Sequence, residues 1–209
     1  MLQCKEATMT VHSRGAGVGA SAISQIFTEA RTHNAFLDRP VPDALLREAL
    51  DLAKIGPTSA NQSPMRVLFL KSEAAKARLL PALMPGNLEK TKVAPVVAIT
   101  AYDEKFFDHA PFLMPHVDVR PWFSGNPEFA ARTAFQNGTL QVAYLILALR
   151  AVGLDTGPMT GFDNAKVNAE FFPEGHVKSN VLINIGYGDD TKLFPRSPRF
   201  DFAQIAKIV

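Results

Sequence analysis

The sequence predicts a helix-rich α/β or α+β domain, and three observations carry that prediction. Amphipathic stretches with apolar residues at helical spacing alternate with short apolar runs that read as buried strands: MRVLFLK (65–71), VAPVVAITAY (93–102) and VKSNVLINIGYG (177–188). The alternation is irregular, so a regular doubly wound sheet is not implied. The 209 residues contain no internal repeat and no low-complexity linker, which fits one domain.

The elements follow in order. SAISQIFTEARTHN (21–34) sets Ile23, Ile26, Phe27 and Ala30 on one helical face. PDALLREALDLAKIG (42–56) carries the stripe Leu45, Leu46, Leu50 and Ala53, with Asp43 as the expected N-cap and Gly56 as the stop. After the first strand, Ser72 should cap a helix running toward Leu83. In the second strand Pro95 is tolerable near the start. Next comes FFDHAPFLMPHVDVRPWFSGNP (106–127), where Pro111, Pro115, Pro121 and Pro127 argue against regular structure. Its aromatics, including Phe106, Phe107, Phe112, Trp122 and Phe123, suit a binding loop or lid. Residues 128–152 are helical in pattern and apolar on nearly all sides, which places them in a core or a subunit interface. NAKVNAEFF (164–172) is a short helix, and DFAQIAKI (201–208) closes the chain as another.

Bulk properties exclude several classes. Lys and Arg number 22 against 20 Asp and Glu, so a net charge of +2 is too small to argue for nucleic acid or an anionic membrane. The longest apolar run, VAYLILAL (142–149), is far short of the ~20 residues that span a bilayer. The single cysteine, Cys4, can build neither a disulfide framework nor a thiolate metal site, which points to the reducing cytoplasm. Residues 1–20 do not resemble a secretory signal. They read as a loose leader, or as an arm packing on a partner, ahead of a domain over 21–209.

Three short motifs are misleading. GAGVGA (15–20) has the wrong spacing for a dinucleotide loop and no strand before it. DTG (155–157) lacks the second carboxylate that an aspartic protease requires. His109, His116 and Asp118 lie on a proline-rich stretch with no spacing that would aim them at one metal ion, so no metal is expected. No GxSxG, HExxH or P-loop is present.

Three polar groupings remain. ARTHNAF (30–36) places Arg31, Thr32, His33 and Asn34 in a row, and arginine offers a phosphate a permanently charged bidentate fork. The same residues could equally serve a helix C-terminus. GPTSANQSP (56–64) is rich in small hydroxyl and amide side chains that let backbone approach a planar polar ring. FPRSPRF (194–200) stiffens Arg196 and Arg199 with prolines, and both could join Arg31 at a phosphate. No nucleophile, carboxylate pair or metal set accompanies them. Chemistry carried by a cofactor is then the natural reading, and arginines plus a cradle for a flat ring point to flavin mononucleotide (FMN).

Taken in order, RTHNAF, GPTSANQSP, GNLEKTKVAPVV, FQNGTLQVAYLILALRAVGLDTGPMTGFD, INIGYGD and PRSPR resemble the nitroreductase family of FMN enzymes over residues 21–209. GLDTGPM and KSNVLINIGYGD are closest to the subgroup that contains the malonic semialdehyde reductase of the Rut pyrimidine-utilisation pathway. The resemblance implies a three-layer α/β/α sandwich of α+β class and an obligate homodimer with FMN at its interface. It places Arg31, Thr32 and His33 near the FMN phosphate and ribityl chain, with Asn34 at the pyrimidine edge of the ring. Pro57, Thr58, Ser59 and Asn61 would reach the partner's FMN, and Asn87 would bind the ring. Pro158, Met159, Thr160 and Gly161 would cover the ring near N5, and Arg196 and Arg199 would hold the phosphate. Many members carry a basic residue where Asn34 stands and an acidic one where Thr160 stands, so the redox tuning should differ.

The implied reaction is ping-pong: NADPH or NADH gives a hydride to FMN, and a second substrate takes it up at the same place. For malonic semialdehyde a cation should anchor the carboxylate, and Arg120, beside Trp122, is the candidate. Two alternatives stand beside this one. They are a broad nitroarene or quinone reductase, and a flavin-binding protein without turnover.

Overall fold

Four strands, β1 (Met65–Leu70), β2 (Val96–Asp103), β3 (Asp155–Met159) and β4 (Val177–Gly186), form one antiparallel sheet in the order β1-β2-β4-β3. This computed structural model describes residues 17–209. Most of the predicted leader, Cys4 and the start of GAGVGA lie outside the described residues.

Side chains alternate across the sheet because successive strand residues point to opposite faces. On one face Val97, Ile99, Ala101 and Leu182 pack with Leu79, Phe162 and Val167. On the other, Val96, Ala98, Ile183 and Ile185 pack with Leu46, Ala49, Leu145 and Leu149. The helices divide accordingly. α2 (Asp43–Ala53) and α7 (Pro127–Ala151) supply the second cluster, and α3 (Glu73–Leu79), α4 (Pro85–Val93) and α8 (Asn164–Phe171) lie against the first. The result is the helix–sheet–helix sandwich that the resemblance implies. A register shift between Ile99 and Ala101 interrupts the β2–β4 ladder. The Thr100 hydroxyl mends the gap by donating to the Val181 carbonyl at 2.7 Å and accepting from the Val181 N–H at 3.1 Å.

Several expectations need correction. The first helix is short: α1 (Ala20–Ile23) runs into a π-helical turn (Ser24–Thr28) and stops before Arg31. Thr32 instead bridges Thr156 in parallel, so the chain is strand-like there and bends at Asn34. Asp43 does not cap α2, because Pro42 occupies the N-cap position and the Asp43 carboxylate pairs with Lys71. α4 was not foreseen, since only Leu88 and Thr91 of its residues turn inward and a thin apolar face gives a weak helical signal. Val93 belongs to this helix, and the second strand therefore starts at Val96. β3 was missed as well. As an edge strand it tolerates Pro158, which cannot donate to a ladder. The proline-rich segment is not irregular: it holds a 3₁₀ turn (Phe106–His109), α5 (Ala110–Leu113) and α6 (Arg120–Ser124). Pro111, Pro121 and Pro127 stand at first-turn positions, where a missing N–H costs nothing, and Pro115 falls in the turn between α5 and α6. The last helix, α9 (Phe202–Ile205), is a single turn with an Asp201–Gln204 capping box, and the chain is extended again at Ala206.

Candidate functional site

The strand-like backbone around Thr32 decides how the neighbouring side chains point. Thr32 and Asn34 are exposed, while His33 between them is 2% exposed and turned the other way. The His33 ring lies between two carboxylates, with Nε2 3.0 Å from Asp190 Oδ1 and Nδ1 3.5 Å from Asp155 Oδ1. Packing here leaves no slack. A Cβ at Gly188 would stand 2.2 Å from the His33 ring, and one at Gly157 would stand 2.3 Å from the His33 carbonyl oxygen. His33 is thus a buried tie under the segment, and Thr32 and Asn34 form its open face. Asp155, the acid of DTG, is engaged with His33 and with the Gly188 N–H, which donates to it at 2.8 Å.

Beside this segment lies a cleft of about 430 Å³ lined by Phe27, Ala30, Arg31, Thr32, Arg150, Phe194, Pro195, Arg196, Ser197 and Arg199. Four of these residues are arginines, and no carboxylate is among them. Arg31 donates to the Phe194 carbonyl and Arg196 donates to the Thr28 carbonyl at 2.7 Å, so the tail is laced to the end of the first helix. Each guanidinium offers five N–H donors, so most remain for an anion. Arg150 enters from the last turn of α7, and nothing in the sequence singles it out. Its Nη1 donates to the Ile26 carbonyl at 3.1 Å, while its buried Nε finds no partner among the described residues. Burial pushes the Arg150 guanidinium down from its usual range, and nearby Asp155 opposes that shift.

A second grouping adjoins Asn34. Lys90 Nζ donates to Asn34 Oδ1 at 3.2 Å, and burial lowers the Lys90 ammonium pKa. Lys90 was also overlooked, although it stands one helical turn after Asn87 and so shares its face of α4. Asn87 Nδ2 donates to the Gly161 carbonyl at 2.7 Å, and a Cβ at Gly161 would meet that nitrogen at 2.6 Å. Thr160 is exposed, Pro158 and Gly161 are partly exposed, and the Met159 side chain is buried next to Thr91. Asn34, Asn87, Lys90, Thr160 and Gly161 therefore sit along one edge, where α4 meets the end of β3.

The loop 57–63 stands apart, and none of its hydrogen bonds reaches these residues. Pro57, Ser59 and Asn61 are exposed, and Asn61 Nδ2 donates to the Leu113 carbonyl at 2.7 Å. Ala60 packs on the aromatic cluster of Phe106, Phe123 and their neighbours. On α6, Arg120 is already engaged: its Nε and Nη2 each donate to an Asp118 oxygen at 2.9 Å, and this holds the Asp118 carboxyl below the usual carboxylate range. Trp122 is exposed. Among the described residues no three His, Asp or Glu side chains converge as a metal ion needs. No helix among them is long and apolar enough to cross a membrane.

Residues 27–187 match the family described as Nitroreductase family. A Burkholderia lata protein, provisionally named an NADH dehydrogenase/NAD(P)H nitroreductase, is 60% identical over 90% of this chain and 96% of its own. The chain belongs to the nitroreductase family. Solved structures agree on the nitroreductase fold. One from Bacillus subtilis, named a nitroreductase, superposes with a TM-score of 0.82 over 90% of this chain and 99% of its own, at 19% identity. Another, from Exiguobacterium sibiricum and described as in complex with FMN, gives 0.78 over 90% and 97%, at 22% identity.

Proposed function

We propose that this member of the nitroreductase family is a homodimeric, FMN-dependent NAD(P)H oxidoreductase of the cytoplasm. The observation that carries the proposal is the cleft of four arginines with a buried, unpartnered Arg150 Nε, beside an edge of amide donors. Such a donor set fits a phosphate joined to a flat polar ring. When bound, FMN would supply the hydride-transfer chemistry between a nicotinamide and an acceptor. Arg31, Arg196 and Arg199 hold the phosphate, with Arg150 behind them and Thr32 on the ribityl chain. His33 holds the floor in place from below. Asn34 meets the pyrimidine edge of the ring. The cation that a basic residue would have supplied at that position comes from Lys90, which reaches Asn34 across the same edge. Asn87 fixes Gly161, and Pro158, Thr160 and Gly161 bound the ring near N5 while Met159 anchors them in the core.

The homodimer accounts for what one chain leaves open. α7 exposes Phe135 at 48% and Leu140 at 44% along its outward face, and the tail exposes Phe200, Phe202 and Ile205. Large apolar side chains left exposed on a helix and on the tail fit an association face. Pro57, Thr58, Ser59 and Asn61 would then reach the cofactor of the partner.

For the acceptor we propose malonic semialdehyde, reduced to 3-hydroxypropanoate, as the resemblance to the Rut subgroup suggests. Arg120 is the cation offered to its carboxylate and Trp122 the adjoining wall. One observation favours a second reading, a broad nitroarene or quinone reductase: Arg120 is already paired with Asp118, and an uncharged acceptor needs no cation. Arg120→Ala separates the two. For a semialdehyde reductase it should raise KM for the semialdehyde at least about tenfold, the loss of one charge-assisted contact, and leave KM for a quinone unchanged. Equal effects on both acceptors would sink the Arg120 assignment and favour the broader reductase.

A further inference from the structure

The GPTSANQSP loop adopts an uncommon backbone. Ala60, Asn61 and Ser63 have φ of 48°, 52° and 42°, the left-handed region that residues with a Cβ rarely adopt. Asparagine visits it readily, whereas alanine and serine need the surroundings to impose it. Three such residues within four positions are costly, and the loop's own hydrogen bonds are short-range: the Asn61 N–H donates to the Thr58 carbonyl and the Gln62 N–H to the Ser59 carbonyl, each at 3.1 Å. The Ser63 N–H donates to Thr58 Oγ1 at 3.1 Å, and Gln62 Nε2 donates to the Ala60 carbonyl at 2.6 Å.

Two buried amides from outside the loop grip its two ends. The Ser59 N–H donates to Asn137 Oδ1 at 2.8 Å, and the Met65 N–H donates to Gln141 Oε1 at 2.9 Å. Asn137 is 8% exposed and Gln141 2%. They stand four residues apart on α7, so both project from one face of the helix, one turn apart. Asn137 is itself aimed, because its Nδ2 donates to the Thr133 carbonyl at 2.9 Å. Amides are otherwise out of place on the inward side of an apolar helix, where an unpaired polar group is expensive. The first grip comes just before the left-handed residues and the second just after them.

We propose that Asn137 and Gln141 are positioning residues that hold the Pro57–Ser63 stretch in its left-handed form, so that its exposed side chains meet the flavin of the partner subunit. The cofactor half of this proposal rests on the functional reading above; the clamp itself does not. Because α7 also carries the outward apolar face, one helix sets both the pairing of the chains and the shape of the loop that crosses between them.

The test uses the full-length holoprotein and its FMN-free form. Asn137→Leu and Gln141→Met remove the acceptors at similar volume, and Gln141→Glu keeps the acceptor at 141. Val167→Ala, in the core on the opposite face of the sheet, controls for simple destabilisation. Hydrogen exchange at the Ser59 and Met65 amides is read in FMN-free protein, and FMN dissociation constants are read separately. We expect Asn137→Leu and Gln141→Met to accelerate exchange at those amides and to weaken FMN binding at least about tenfold, and Gln141→Glu to leave both near the wild-type values. Val167→Ala, brought to the same melting temperature, should do neither. Unchanged exchange in the Leu and Met variants would overturn the clamp. Faster exchange with unchanged FMN affinity would overturn the link from clamp to cofactor. A wild-type protein that takes up no FMN would overturn the functional reading and that link together, while the exchange data still decide the clamp.

Discussion

Arg31→Ala combined with Arg196→Ala should leave a folded protein that carries no FMN. Both guanidinium groups line the same cleft, and each spends only part of its donor capacity on a backbone carbonyl. A hydrogen bond to a charged group contributes about 1.5–3 kcal/mol, so losing two such partners should raise the FMN dissociation constant on the order of 10²- to 10⁴-fold. Arg199→Ala should cost less, because its Nη1 is turned back on the Ser197 and Pro198 carbonyls. Lysine at 31 or 196 should rescue part of the loss, since it restores the charge without the fork. Arg31 and Arg196 also lace the tail to residues 28–31, so the double variant needs a readout that separates phosphate binding from a detached tail. Riboflavin, which lacks the phosphate, provides it. Affinity for riboflavin should be nearly unchanged, and a parallel loss of riboflavin and FMN would contradict the phosphate assignment.

Leu140→Arg should split the dimer and strip the flavin in one step. Leu140 is exposed on α7, four residues before Tyr144 and five after the exposed Phe135. In a two-fold interface every substitution acts twice. Removing one buried leucine forfeits about 1.5–3 kcal/mol, and a buried unpaired guanidinium adds several more per copy. The dimer dissociation constant should rise at least about 10³-fold. Sedimentation would show a 22.8 kDa monomer with its secondary structure intact. Flavin content should fall in parallel, because the Pro57–Asn61 loop would no longer reach across. A dimer that persists, or a monomer that keeps its flavin, would contradict the two-chain site.

The residues that carry this account differed in how readable they were. Arg31, Arg196 and Arg199 were legible because arginine near proline or at a helix end is a local signal. The apolar surplus of α7 was legible for the same reason: a helix without a polar face needs cover on all sides. The strands at 65–71 and 177–188 announced themselves as unbroken apolar runs. α4 and β3 did not. α4 has too thin an apolar face, and β3 is a five-residue edge strand containing glycine and proline. Missing them hid Lys90 and left Asn87, Thr160 and Gly161 to the family resemblance alone, since the edge they share depends on where α4 meets β3. His33 was read as part of the cleft, but once the chain around Thr32 is strand-like rather than helical, alternation turns it inward. Asn137 and Gln141 lie a full domain's width of sequence from the loop they grip, and no local pattern reports a contact of that separation.

The proposed function requires that this chain bind FMN and reduce it with a nicotinamide. The most direct test is the visible spectrum of the purified protein, recorded before and after NADPH or NADH is added without oxygen. The account predicts an oxidised-flavin spectrum that bleaches with at least one of the two and returns when an acceptor is supplied. A flavin band that both nicotinamides leave unchanged would contradict the enzyme and favour a flavin-binding protein. A colourless protein that takes up no added FMN would contradict the cofactor itself.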